Sequence, residues 1–206
     1  MIKVNKTTKI PRAFVEYSQS KDASFDNMTK QAKDALRKSL LEEQKFICAY
    51  CNCSLKNDPL KTKIEHFKPQ STYPDLQLQY SNLFVCCLGI HKNDTEQTCD
   101  TRKGNSSLKY SPIENKISQI IKYEETTGKI ESTEEDFSDQ LNDVLNLNFK
   151  ILVSNRKTVL DTLRSNLKSK GKANIDFRRI RDNLIQKDNL QGYIGIVLAY
   201  LNKKIN

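Results

Sequence analysis

Six cysteines crowd into one stretch of this 206-residue chain, at positions 48, 51, 53, 86, 87 and 99. The start, Met1-Ile2-Lys3-Val4-Asn5-Lys6, lacks the apolar stretch of a secretory leader. No run approaches the roughly 20 apolar residues that span a bilayer, so a soluble, cytoplasmic protein is expected. Disulfides are disfavoured in that compartment, which makes metal binding the leading role for the thiols. Cys48-Ala49-Tyr50-Cys51 has the C-x2-C spacing of a metal knuckle, and Cys86, Cys87 and Cys99 are the candidates to complete a tetrahedral thiolate site. The same spacing serves thiol–disulfide enzymes, but no βαβ pattern surrounds it here. Cys53 and the unused member of the later group read as spare buried thiols.

Charge points to the class of partner. The 34 Lys and Arg outnumber the 25 Asp and Glu, for a net charge of +9. The excess is uneven: residues 1–45 carry +4, 46–110 carry +2, 111–136 carry -4 and 137–206 carry +7. A chain that is basic at both ends favours polyanionic partners, nucleic acid first and acidic membrane surface second. With 37% hydrophobic residues and a mean hydropathy of -0.66, a modest core is expected.

Residues 1–26 read as an irregular lead-in. From Asn27 to Lys45, Met28, Ala32, Ala35, Leu36, Leu40 and Leu41 recur at helical spacing with no Gly or Pro, predicting an amphipathic helix. Thr62–His66 and Ser81–Cys87 read as short extended segments, and Asp100–Leu108 as a short helix. In the acidic stretch Ile117, Gln119, Ile121 and Tyr123 alternate, and Lys129-Ile130-Glu131 return after Gly128, which predicts a hairpin. Beyond it the apolar residues follow a 3.6 period to the end, with breaks at Gly171 and Asn174 and near Gly192.

Between the two cysteine groups lies Ile64-Glu65-His66-Phe67-Lys68-Pro69, with Asn82 sixteen residues after His66 and Cys99-Asp100-Thr101-Arg102-Lys103 opening a short helix. A carboxylate beside an imidazole, an Asn on a following loop and a second carboxylate after the last Cys suit metal-assisted phosphodiester hydrolysis. The imidazole takes a proton from water, and hard oxygen ligands hold a divalent ion. In this order the chain resembles the HNH endonucleases, whose ββα-metal core is laced by a zinc knuckle in many members. The resemblance implies Glu65 and Asp100 as ligands to a catalytic Mg2+ or Mn2+, His66 as general base, Asn82 as the residue that orients it, and Lys103 as a basic residue one turn later. It also selects Cys87 over Cys86, giving Cys48, Cys51, Cys87 and Cys99 as ligands to a structural zinc. An eleven-residue insertion between Cys87 and Cys99 departs from the usual second C-x2-C, and leaves His91 as an alternative ligand.

Arg37–Gln44, the insertion, Leu145–Asn148 and Asn155-Arg156-Lys157 extend the likeness to the HNH nucleases of Septu-type and retron-associated anti-phage systems. That resemblance implies an ATPase partner, DNA as the target with RNA as the alternative, and no membrane association. The expected fold is α+β and mostly helical. It comprises an N-terminal lead-in and helix (1–45), an HNH core with its zinc site (46–110), an acidic β-hairpin (111–136) and a C-terminal helical region (137–206). Arg156, Lys157, Arg164, Lys168, Lys170, Lys172, Arg178, Arg179 and Arg181 suit either phosphate contact or a solvated face. A non-catalytic zinc-stabilised nucleic-acid-binding or adaptor module is the competing class.

Overall fold

Thr62–His66 form β1 and Leu83–Cys87 form β2, paired antiparallel so that Thr62 lies opposite Cys87 and His66 opposite Leu83. The computed structural model describes residues 1–6, 9–91, 96–169 and 175–205. Leu83, Phe84, Val85 and Cys86 are all buried, and hence β2 is covered on both faces. Helix α2, Lys30–Glu43, packs on it, and so does the short helix α3, Cys99–Lys103.

Thr29 caps α2 by accepting from the Ala32 N–H at 3.3 Å. Ala32, Leu36, Leu40 and Leu41 are buried along one stripe, as the spacing predicts. The helix ends in two successive left-handed residues, Lys45 and Phe46, with the Phe46 N–H bonded to the Leu41 carbonyl. Gln44 then bridges helix and strand: its Nε2 donates to the carbonyls of Ile47 and Val85, and its Oε1 accepts from the Val85 N–H at 2.7 Å.

The helix expected over Asp100–Leu108 is shorter, Cys99–Lys103, and ends at Gly104, whose φ is 51°; two further segments differ more. The lead-in contains a helix, α1, Arg12–Ser18, with Phe14 buried. Pro11, whose φ of -58° is already helical, precedes its first residue, and seven residues with one buried side chain leave no periodicity to read. The first arm of the expected hairpin is partly helical: α4 spans Asn115–Ile120 and buries Ile117 and Ile120, three residues apart. Only Ile121–Tyr123 (β3) remain extended, pairing with Ile130–Ser132 (β4).

The rest is helical, giving an α+β fold that is mostly helix with two two-stranded sheets. Helix α5, Glu135–Asp139, runs into a π-helical segment, Gln140–Val144. Helices α6 (Lys150–Ser169), α7 (Phe177–Ile185) and α8 (Ile194–Ile205) follow. The break near Gly192 falls between α7 and α8, while Gly171 and Asn174 lie outside the described residues. Gly195 sits where α8 crosses β3; a Cβ there would lie 2.2 Å from the Tyr123 hydroxyl oxygen. No helix among the described residues is long and apolar enough to cross a membrane.

The basic tail is less free than its sequence suggests. Arg156 is 1% exposed and donates to the carbonyls of Gly128 and Leu147, both at 2.6 Å, so it ties α6 to the turn between β3 and β4. Lys157 pairs with Asp161, Arg164 with Glu125 and Arg181 with Asp182. Lys168, Arg178 and Arg179 are exposed, and Lys170 and Lys172 lie outside the described residues.

Truncating Leu40, which has no exposure, to Ala should lower the unfolding free energy by about 2–5 kcal/mol. Leu60→Ala, at a side chain 82% exposed, should change it by less than about 0.5 kcal/mol. Equilibrium urea denaturation measures both.

Candidate metal and active site

Three separate segments deliver thiols to one point: the loop after α2 brings Cys48 and Cys51, the end of β2 brings Cys87, and the first residue of α3 brings Cys99. All four sulfurs lie within 4.8 Å of one another, with Cys51–Cys87 at 3.8 Å and Cys48–Cys99 at 4.0 Å. Zinc–thiolate bonds of about 2.3 Å place the corners of a tetrahedron roughly 3.8 Å apart, so the spacing fits a structural zinc site. The knuckle turns through Asn52, at φ 62°, and the Cys53 N–H donates to Cys51 Sγ at 3.4 Å. Cys99 is itself left-handed, at φ 55°, a conformation that costs a non-glycine residue roughly 1–2 kcal/mol.

The thiols shift one another's ionisation in opposite directions. Burial opposes ionisation of Cys48, but hydrogen bonds from Cys51, Cys53, Cys86 and Cys87 hold its thiol well below the ordinary range. Cys99 and Cys87 are pushed the other way, chiefly by their hydrogen bonds to Cys48. Four thiolates this close repel one another unless a positive ion lies between them. Cys53 and Cys86 stand outside the cluster. His91 also stands apart, with Nε2 3.0 Å from Thr98 Oγ1 and its ring against Phe149. Lys92, Asn93 and Asp94 of the insertion lie outside the described residues.

Glu65, His66 and Asp100 line a second feature, a cavity of about 330 Å³ walled also by Lys63, Pro69, Gln70 and Ser71. Glu65 is 4% exposed, which excludes a simple surface pair with His66. Its Oε1 accepts from the Tyr50 hydroxyl at 2.9 Å and from Lys103 Nζ at 2.8 Å. Both bonds fall on Oε1. Burial, and next the neighbouring Asp100 carboxyl, push Glu65 well above the usual carboxylate range, and Lys103 opposes the shift. Lys103 has no exposed side-chain surface; besides Glu65 it donates to the His66 carbonyl at 3.2 Å. It is a buried tie between α3 and β1. Asp100 lies 3.8 Å from Lys63 Nζ.

His66 Nε2 lies 3.0 Å from the Gln77 carbonyl oxygen. A carbonyl only accepts, so Nε2 carries the proton of the neutral ring and Nδ1 is left as the base. The edge of Phe25 packs against the imidazole at 4.4 Å. Burial lowers the His66 pKa, more than the Gln77 bond and Asp100 raise it, which favours the neutral ring near pH 7. The ring is therefore oriented by Gln77. Asn82 acts one step away: its Oδ1 accepts from the Lys68 N–H at 2.7 Å, its Nδ2 donates to the carbonyls of Lys68 and Leu76, and its own carbonyl accepts from Phe67. It clamps the loop that delivers Gln77. Neither Gln77 nor Tyr50 stood out in the sequence. Gln77 contributes only backbone, which no side-chain pattern reports, whereas a Tyr enclosed by the knuckle cysteines was a visible signal.

Cys51→Ser or Cys99→Ser should abolish the zinc content of the purified protein, about one ion per chain. Cys86→Ser and Cys53→Ser should retain it. Inductively coupled plasma mass spectrometry distinguishes the two groups.

No family model matches the chain. A Septu protein designated PtuB, from Bacillus thuringiensis, is 32% identical over 83 residues, which cover 40% of this chain and 29% of that protein. The chain is thus similar, over part of its length, to a Septu protein, and spans less than a third of that relative.

Proposed function

We propose that the protein is a metal-dependent endonuclease of the HNH type that hydrolyses DNA phosphodiesters, and that it is the effector subunit of an anti-phage defence complex with an ATPase partner. The observation that carries this reading is the shared cavity: an imidazole with Nε2 tied to Gln77 opens onto the same space as Glu65 and Asp100. The similarity to a Septu protein supports the defence role.

In this reading His66 Nδ1 takes the proton of the attacking water. Glu65 and Asp100 would hold Mg2+ or Mn2+, which would supply charge to stabilise the leaving oxygen. Lys103 and Tyr50 aim the Glu65 carboxylate, which makes Lys103 a positioning residue. Zinc at the four cysteines is structural. Residues 46–110 form the nuclease core in the cytoplasm, with 1–45, the acidic hairpin at 111–136 and the 137–206 helices around it. Exposed Lys168, Arg178 and Arg179 are among the tail cations available for phosphate or for the partner.

One observation favours a second reading, a non-catalytic zinc-stabilised nucleic-acid-binding or adaptor module: the Lys103 ammonium already neutralises Glu65. Cleavage decides between them. The protein, alone and with its co-purifying partner, should nick or cut plasmid DNA with Mg2+ or Mn2+, and His66→Ala should lower the rate by about 10²–10⁴-fold. Equal rates in the two proteins, or salt-sensitive binding with no cleavage under either condition, support the adaptor.

A further inference from the structure

Each half of the carboxylate site is fastened to a different half of the thiol site. Tyr50 sits between Cys48 and Cys51, has no exposed surface, and its hydroxyl donates to Glu65 Oε1. Asp100 directly follows Cys99, and Lys103, one turn further along α3, donates to the same Oε1. Both donors fall on one oxygen of the carboxylate, and Glu65 and Asp100 line the same cavity.

We infer that the two sites are thermodynamically coupled: zinc at the four cysteines sets the affinity of the Glu65–Asp100 pair for a divalent cation, through Tyr50 on one side and α3 on the other. Hydrogen-bond partners that orient a metal ligand typically matter by 10–100-fold in affinity, and here those partners are positioned by the thiol cluster. Displacing the Cys48–Cys51 loop moves the Tyr50 hydroxyl off Glu65, and displacing Cys99 moves Asp100 and Lys103 together. The inference rests on the carboxylate-site reading above.

Manganese titration of the full-length, zinc-loaded protein tests it. Tyr50→Phe keeps the ring's packing and removes only the hydroxyl. It should retain about one zinc per chain and cooperative melting, yet bind Mn2+ on the order of tenfold more weakly. Coupling is reciprocal, so saturating Mn2+ should tighten wild-type zinc binding in competition with a chromophoric chelator, and should do so less in Tyr50→Phe. Unchanged manganese affinity in Tyr50→Phe, or chelator competition indifferent to manganese, would overturn the coupling. So would the absence of wild-type manganese binding above that of Asp100→Asn. The readout is metal binding: a protein that binds both ions in this coupled way and cuts no DNA fails the nuclease proposal and leaves the coupling standing.

Discussion

Four sulfur atoms within 4.8 Å of one another bring three separate segments to one point beside the cleft. They belong to a loop, a strand end and a helix start that are up to 51 positions apart in the chain. Two five-residue strands are marginal by themselves in water, and a five-residue helix has no independent stability. A metal joined to all four thiols would convert these weak elements into one rigid unit, because the repulsion among thiolates would become attraction to a shared cation. The strained left-handed backbone at Cys99 is consistent with a position dictated by that cluster rather than by helix preference.

The buried Glu65 shows what such rigidity permits. A carboxylate taken out of water is costly unless charge and hydrogen bonds replace the lost hydration. Lys103, equally buried, supplies charge, and Tyr50 supplies a hydrogen bond. A buried ion pair of this kind is poor evidence for added stability. It is better evidence for a carboxylate that must be held in one orientation, beside an imidazole whose tautomer is set by a backbone carbonyl.

Much of this was legible in the residues. The C-x2-C pair, the apolar stripe of α2 and the bounds of β1 all appear as their spacing predicts, because each is a local pattern. The losses share a cause: they depend on tertiary partners. Helix α1 is too short to show a period, and the alternation at Ile117–Tyr123 is overridden by burial of Ile117 and Ile120 on a helical face. Arg156 reads as a phosphate-binding cation until its guanidinium is seen filling the carbonyls of Gly128 and Leu147. Lys103 reads as no more than a basic residue one turn after Asp100, and only the packing of α3 on β2 puts its ammonium on Glu65.

Zinc-edge X-ray absorption on the purified protein tests the central claim most directly. The account predicts a first shell of four sulfur scatterers at about 2.3 Å and no nitrogen or oxygen contribution. A shell containing imidazole nitrogen near 2.0 Å, or protein isolated without bound metal, would contradict a four-cysteine zinc as the tie that organises the cleft.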